Sequence, residues 1–194
     1  MSVDRNPVVL VHGLWNTVNI FWKLRSHLEK HRWPVYAPNL IPNNGDVGIE
    51  ILAQQLHTFI EDQFGQHQMI DLLGFSMGGL VSRYYLQRLG GLGRVNRFVT
   101  VAAPHNGSMM AWFRQNPGGI QMRPSSQFLK DLNQDKHQLQ QIQVTSLWTP
   151  LDIFVVPASS GRLTVGQSLR LPVATHNKML QDLRSLEAIV EGLS

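Results

Sequence analysis

The stretch Leu72–Ser82, LLGFSMGGLVS, places one serine, Ser76, between glycines two positions away on either side, Gly74 and Gly78. An apolar run leads into it and a helix-like run leads out. A strand that turns into a helix this abruptly forces its central residue into a strained conformation. The residues two places before and after must be small, because larger side chains would collide. The central side chain then stands above the C-terminal end of the strand, at the start of a helix, where N–H groups are unpaired and the dipole is positive. This is the G-x-S-x-G pattern of an exposed nucleophile. A glycine-rich turn whose serine only caps a helix is the alternative, and the partners further along the chain decide between them.

Outward from this turn the chain alternates between two periodicities. Upstream, Pro7–Gly13 (PVVLVHG) and Trp33–Pro38 (WPVYAP) read as short strands, and Gln68–Phe75 leads into the turn. Asn19–Arg32 and Ile49–Phe64 carry apolar residues at helical spacing, the second through Ile49, Leu52, Leu56 and Ile60. Downstream, Met77–Leu89 reads as a helix, Val95–Pro104 and Ile142–Pro150 as strands, and residues 177–190 as a closing helix. Continuous apolar strands alternating with helices predict an α/β fold, a mainly parallel sheet covered on both faces. The segment 105–141 shows no strand pattern, is turn-rich at NPGGIQMRPSS, and is too long for an ordinary connection. It reads as an insertion over the end of the sheet, a possible lid or cap. The glycines of GGLG (Gly90–Gly93) follow a helix and end it; they are not a dinucleotide fingerprint.

At 194 residues with 43% hydrophobic content, the chain is long enough to bury a core as one domain, 1–194. No apolar run reaches the ~18–20 residues of a membrane-spanning helix. The start, MSVDRNPVVLVHG, has no basic region followed by a long apolar one, so no leader peptide is expected. The chain has no cysteine, which excludes disulfides, thiolate catalysis and cysteine metal sites. A cytoplasmic protein fits, membrane-associated or not, and a cysteine-free secreted one fits as well. The net charge of +4 is scattered, without the run of about five or six basic residues that marks a nucleic-acid tract. A weak attraction to anionic membrane surfaces is the alternative to a simply solvated surface.

A serine hydroxyl needs a base, a carboxylate to orient that base, and donors for the developing negative charge. After such a turn the partners follow in the order acid, then histidine. His176, in LPVATHNKML, lies beyond the last strand pattern and just before the closing helix, where the base is expected. His105 precedes any suitable acid, and His137 lies in a polar stretch of the insertion. Asp152, in TPLDIFVVP, follows the Ile142–Pro150 strand and is the expected acid. Asp131 and Asp135 lie in the insertion away from a strand end, and Asp71 precedes the serine within its own strand. The oxyanion donors are expected from the N–H groups of Met77 and Leu14. His12 is expected to hold the Leu14 loop by hydrogen bonds.

With these residues in place the sequence resembles the α/β-hydrolase superfamily, in particular its small bacterial lipases and esterases of triacylglycerol-lipase type. PVVLVHGLW resembles their oxyanion loop, LLGFSMGGLVSRYYL their nucleophile turn, VTVAAPHNGS their G-T-P-H-x-G-[ST] segment, and TPLDIFVVPASS their acid loop. Phe75 stands where a histidine is common, Ala103 where a threonine is usual, and ATHNKML lacks a Gly-His pair. On this resemblance the chain opens at the family's third strand, as a minimal version of the fold.

The resemblance implies carboxylic-ester hydrolysis without a cofactor. No carboxylate cluster demands the structural Ca²⁺ that some lipases carry. The single glycine before Leu14 is similar to lipases that favour medium or long acyl chains. Trp15, Phe75 and His105 are expected to line the cleft. Met109, Met110, Trp112 and Phe113, with Ile120, Met122 and Phe128, form either a lid or acyl-binding wall, or core beneath a surface loop. An acyltransferase or thioesterase would use the same site. A non-catalytic receptor on this fold would have lost a member of the triad, and none is lost here.

Overall fold

The computed structural model describes residues 5–194. The first four residues, to which part of the expectation about a leader belongs, lie outside the described residues. The chain runs through β1 (Val8–Val11), α1 (Trp22–Lys30), β2 (Val35–Tyr36), α2 (Ile49–Phe64), β3 (Ile70–Phe75), α3 (Met77–Arg88) and β4 (Val95–Val101). It continues through α4 (Pro117–Gln121), α5 (Gln127–Gln134), β5 (Gln143–Trp148), β6 (Gln167–Arg170) and α6 (Leu183–Gly192). The six strands form one sheet in the order β2-β1-β3-β4-β5-β6, and every pairing is parallel.

The apolar strands divide their side chains between two cores. Val9, Val11, Leu72 and Phe98 point to the face covered by α2 and α3, where Leu52, Leu56, Ile60, Leu80 and Tyr85 pack on them. Val8, Leu10, Leu73, Phe75, Val99 and Val101 point to the other face, closed by Leu24 and Leu28 of α1 and by Leu186 and Ile189 of α6. Burial on both faces is why β1 reads as an unbroken apolar run, and β3 as one beyond Asp71, rather than as alternating strands.

Three sequence expectations change. β6 escaped notice because it is an edge strand, QSLR, with no fully buried residue. The closing helix is split into a 3-10 turn at Asn177–Leu180 and α6, because Asp182 caps α6 by accepting the Arg184 N–H at 3.0 Å. The 105–141 segment contains two helices. α4 opens with Asn116 as cap and Pro117 in its first turn, and α5 opens with Ser126 accepting the Leu129 N–H.

That inserted segment is fastened down. The Arg83 side chain of α3, fully buried, donates to Gln87 Oε1, Asn133 Oδ1 and Leu132 O. Gln87 reaches Leu132 O and Asp135, and Arg88 pairs with Asp131 and Asp135. Burial lowers the Arg83 pKa to about 10, which still leaves it charged at neutral pH. Asp131 and Asp135 therefore serve to anchor α5 to α3.

Candidate active site

Ser76 occupies the single step between β3 and α3, at φ 54° and ψ −127°. This backbone region costs a non-glycine residue about 1–3 kcal/mol and persists only where its surroundings impose it. The surroundings are visible at both glycines. A Cβ at Gly74 would stand 2.6 Å from Gly79 Cα, and one at Gly78 would stand 2.1 Å from Val11 O. α3 thus lies too close to β3 at Gly74, and to the end of β1 at Gly78, for a side chain at either position. Ser76 is partly exposed while Phe75 and Met77 beside it are buried, so the turn offers its hydroxyl to solvent as the sequence pattern requires.

The loop after β1 closes against this serine: a Cβ on Gly13 would lie 2.8 Å from Ser76 Cβ. Leu14 follows directly. Its N–H makes no hydrogen bond among the described residues, and the Met77 N–H opens α3 ahead of the first intrahelical bond. His12 holds the loop from below. Its Nε2 accepts the Leu40 N–H at 3.0 Å, so Nδ1 carries the proton and faces Gly13 O at 3.0 Å. Burial lowers the His12 pKa, with the Gly13 bond opposing it. Asn43, which sequence reasoning did not single out, holds the same loop from the far side: its backbone O accepts the Trp15 N–H at 2.7 Å and its side chain donates to Asn16 O at 2.6 Å.

The Asp152 and His176 side chains, both buried, meet at 2.7 Å between Asp152 Oδ2 and His176 Nδ1. Asp152 Oδ1 accepts the Phe154 and Val155 N–H groups, each at 2.9 Å. The carboxylate is therefore oriented by its own loop, and it fixes the proton of His176 on Nδ1. The other ring nitrogen, Nε2, is left as the basic one. The imidazole packs between two aromatic rings, Phe75 at 4.8 Å and Phe154 at 5.4 Å between centroids. Since Phe75 precedes Ser76, this contact brings His176 to the same strand end as the serine. Thr149 donates to Val173 O at 2.6 Å, tying the acid loop to the loop that carries His176.

The other expected site residues divide by burial. Phe75 and His105, expected at the cleft, are fully buried instead. Phe75 backs His176 from the core. His105 Nε2 lies 3.0 Å from Thr100 Oγ1, and burial, reinforced by the charge of Arg83, holds its pKa well below the usual histidine value. Met109, Met110, Trp112 and Phe113 form an exposed 3-10 turn, Phe113 at 83% exposure, which excludes the core alternative for them. Met122 does join the core, and Phe128 packs against it, stacked on Tyr84. Trp15, 65% exposed, lies beneath the Arg114 guanidinium at 4.2 Å, and Trp112 beneath that of Arg123 at 4.7 Å. Leu151, Ile153 and Phe154 of the acid loop are also exposed. His137 and Asp71 take no part in this arrangement; Asp71 is paired with Arg97 and Asn6.

The family model for the alpha/beta hydrolase fold matches residues 6–182. Among curated proteins the chain is similar to a triacylglycerol lipase of Pseudarthrobacter phenanthrenivorans, 33% identical over 123 residues, which cover 59% of this chain and 38% of that one. A triacylglycerol lipase of Burkholderia plantarii matches at the same 33%, over 59% of this chain and 34% of its own length. The chain thus spans little more than a third of these relatives. Among solved structures, the mature lipase BlEst2 of Bacillus licheniformis superposes with a TM-score of 0.79 at 17% identity, covering 98% of this chain and 92% of that one. Lipase B of Aspergillus fumigatus superposes at 0.83 and 18% identity, covering 97% and 52%. At such identities these two show the fold.

Proposed function

Because this chain belongs to the α/β-hydrolase fold family, we propose that it is a serine hydrolase of carboxylic esters, acting on medium- or long-chain acyl esters of lipids. Ser76 Oγ attacks the ester carbonyl while His176 Nε2 takes its proton. Asp152 holds the Nδ1–H and balances the imidazolium. The Leu14 and Met77 N–H groups receive the oxyanion. The tetrahedral intermediate collapses as His176 returns the proton to the leaving alcohol, giving an acyl-Ser76 ester. Water, deprotonated by the same Nε2, then releases the acid and restores the serine.

The observation that carries this reading is the buried Asp152–His176 hydrogen bond of 2.7 Å, packed through Phe75 against the strained turn at Ser76. The relatives named triacylglycerol lipase support the substrate class. The exposed apolar side chains of the Met109–Phe113 turn support an acyl-binding wall within 105–141 of one domain, and those of Leu151, Ile153 and Phe154 in the acid loop would extend it. They also suit transient contact with a lipid surface, with Arg114 and Arg123 beside them. No helix among the described residues is long and apolar enough to cross a membrane.

The test is hydrolysis of p-nitrophenyl esters from acetate to palmitate, followed by glycerolipids. The reading expects turnover that favours the longer chains. Absence of hydrolysis across the whole series contradicts it.

A further inference from the structure

The Ser108 hydroxyl has every hydrogen-bonding position filled. It donates to Phe154 O at 2.7 Å, and accepts the Val156 N–H at 3.0 Å and the Met110 N–H at 3.2 Å. One donor and two acceptor sites are all that a serine hydroxyl has. Capping the turn at Met109 uses only one of the three. The other two cross to a loop 46 and 48 residues away in the chain. A third bond beside them, from Met109 N–H to Val156 O at 2.7 Å, runs between the same two segments. Ser108 is itself buried, and its N–H donates to Met122 O at 2.9 Å, which fixes it to the inserted segment.

The loop that Ser108 grips is the one that orients the acid. Phe154 N–H and Val155 N–H hold Asp152 Oδ1, and Phe154 also lays its ring against His176. Were residues 154–156 to drift, both N–H donors would leave the carboxylate, Oδ2 would no longer be aimed at Nδ1, and the imidazole would lose one of its two flanking rings. We propose that Ser108 is a positioning residue: by bridging Phe154 O and Val156 N–H it fixes the turn that aims Asp152 at His176. This rests on the reading of Asp152 and His176 as acid and base. It also places the foot of the exposed apolar turn and the acid loop on one shared side chain.

The test compares wild type with Ser108→Ala, Ser108→Thr, which keeps the hydroxyl, and Ser160→Ala. Ser160 straps the neighbouring stretch through Gly107 O and Asn106 N–H and makes no hydrogen bond to residues 152–156 among the described residues. Three quantities are read: the low-field proton resonance of His176 Nδ1–H, the pH profile of p-nitrophenyl acetate turnover, and Tm. Ser108→Ala is expected to lose the resonance or move it upfield. It should lower kcat about ten- to a hundred-fold with little change in KM, and shift the acidic limb to lower pH, because a less well held imidazolium gives up its proton more easily. Ser108→Thr restores all three, and Ser160→Ala changes Tm alone.

A folded Ser108→Ala protein with wild-type resonance, kcat and pH profile overturns the proposal. If Ser108→Ala does not fold, Ser108→Cys, nearly the same shape with a weaker donor, carries the test, and an unchanged resonance there overturns it equally. The resonance needs no turnover. A wild type inactive on every ester therefore refutes the hydrolase reading, while the resonance still decides the role of Ser108.

Discussion

Asp152 Oδ2 receives the His176 Nδ1–H at 2.7 Å while Asp152 Oδ1 is held by two backbone N–H groups of its own loop at 2.9 Å each. Neither oxygen is free to exchange roles. The carboxylate therefore selects the imidazole tautomer with its proton on Nδ1 and leaves Nε2 as the nitrogen with a free lone pair, the base proposed for Ser76.

Asp152→Asn should accordingly lower kcat at neutral pH by about 10⁴, because the amide supports the wrong tautomer and supplies no charge against the imidazolium. Asp131→Asn and Asp135→Asn loosen the anchoring of α5 to Arg88 and, for Asp135, to Gln87. They should lower Tm and leave kcat near wild type. Steady-state kinetics and thermal melts on the three proteins check this. A large kcat loss in Asp131→Asn with Asp152→Asn active would move the acid into the insertion.

A second expectation concerns pH and stability. Burial depresses the folded-state pKa of both His12 and His105 below the ordinary value of 6.5. The unfolded chain takes up these protons below about pH 6.5, while the folded protein resists them. Stability is thus fully present above about pH 6.5 and falls as the pH drops from there toward the folded-state values, by up to about 1.4 kcal/mol per pH unit for each histidine. Urea unfolding at pH 7 and pH 5.5 measures the slope. His105→Asn should lessen it, and an identical slope in that variant would show that His105 does not supply it.

Trp112 and Phe113 are 52% and 83% exposed, so replacing both by serine should leave Tm nearly unchanged, as surface substitutions do. If they form an acyl-binding wall, the ratio of long-chain to acetate ester turnover should fall at least about ten-fold, since each buried methylene contributes about 0.8 kcal/mol. The two quantities are to be measured on one preparation. An unchanged ratio in a folded variant removes the wall.

Much of this arrangement was legible in the sequence. β1 announces itself because burial on both faces leaves it wholly apolar, β3 and β4 do so through their mainly apolar stretches beyond Asp71 and Arg97, and the strained turn declares itself because only glycine fits at Gly74 and Gly78. The pairing of Asp152 with His176, which meet at 2.7 Å, was expected from their order in the chain. What stayed hidden obeys no local period. β6 is a polar edge strand, and the Pro-Gly-Gly of α4 looks like a turn until Asn116 is seen to cap it. Ser108, Asn43 and Thr149 act through backbone groups far away in the chain, and nothing in their immediate neighbours signals that reach. Phe75 and His105 read as cleft residues from their place beside the motifs, yet the sheet's alternation and the packing beneath the insertion bury them.

The central claim is that Ser76 is the nucleophile. Its most direct test is reaction with a fluorophosphonate probe, with the modified residue located by mass spectrometry. The account predicts stoichiometric labelling on the peptide that contains Ser76, abolished in Ser76→Ala together with a loss of ester hydrolysis of about 10⁴ or more. Ester hydrolysis that persists in a folded, unlabelled Ser76→Ala protein, or a label that maps to another residue, would contradict it.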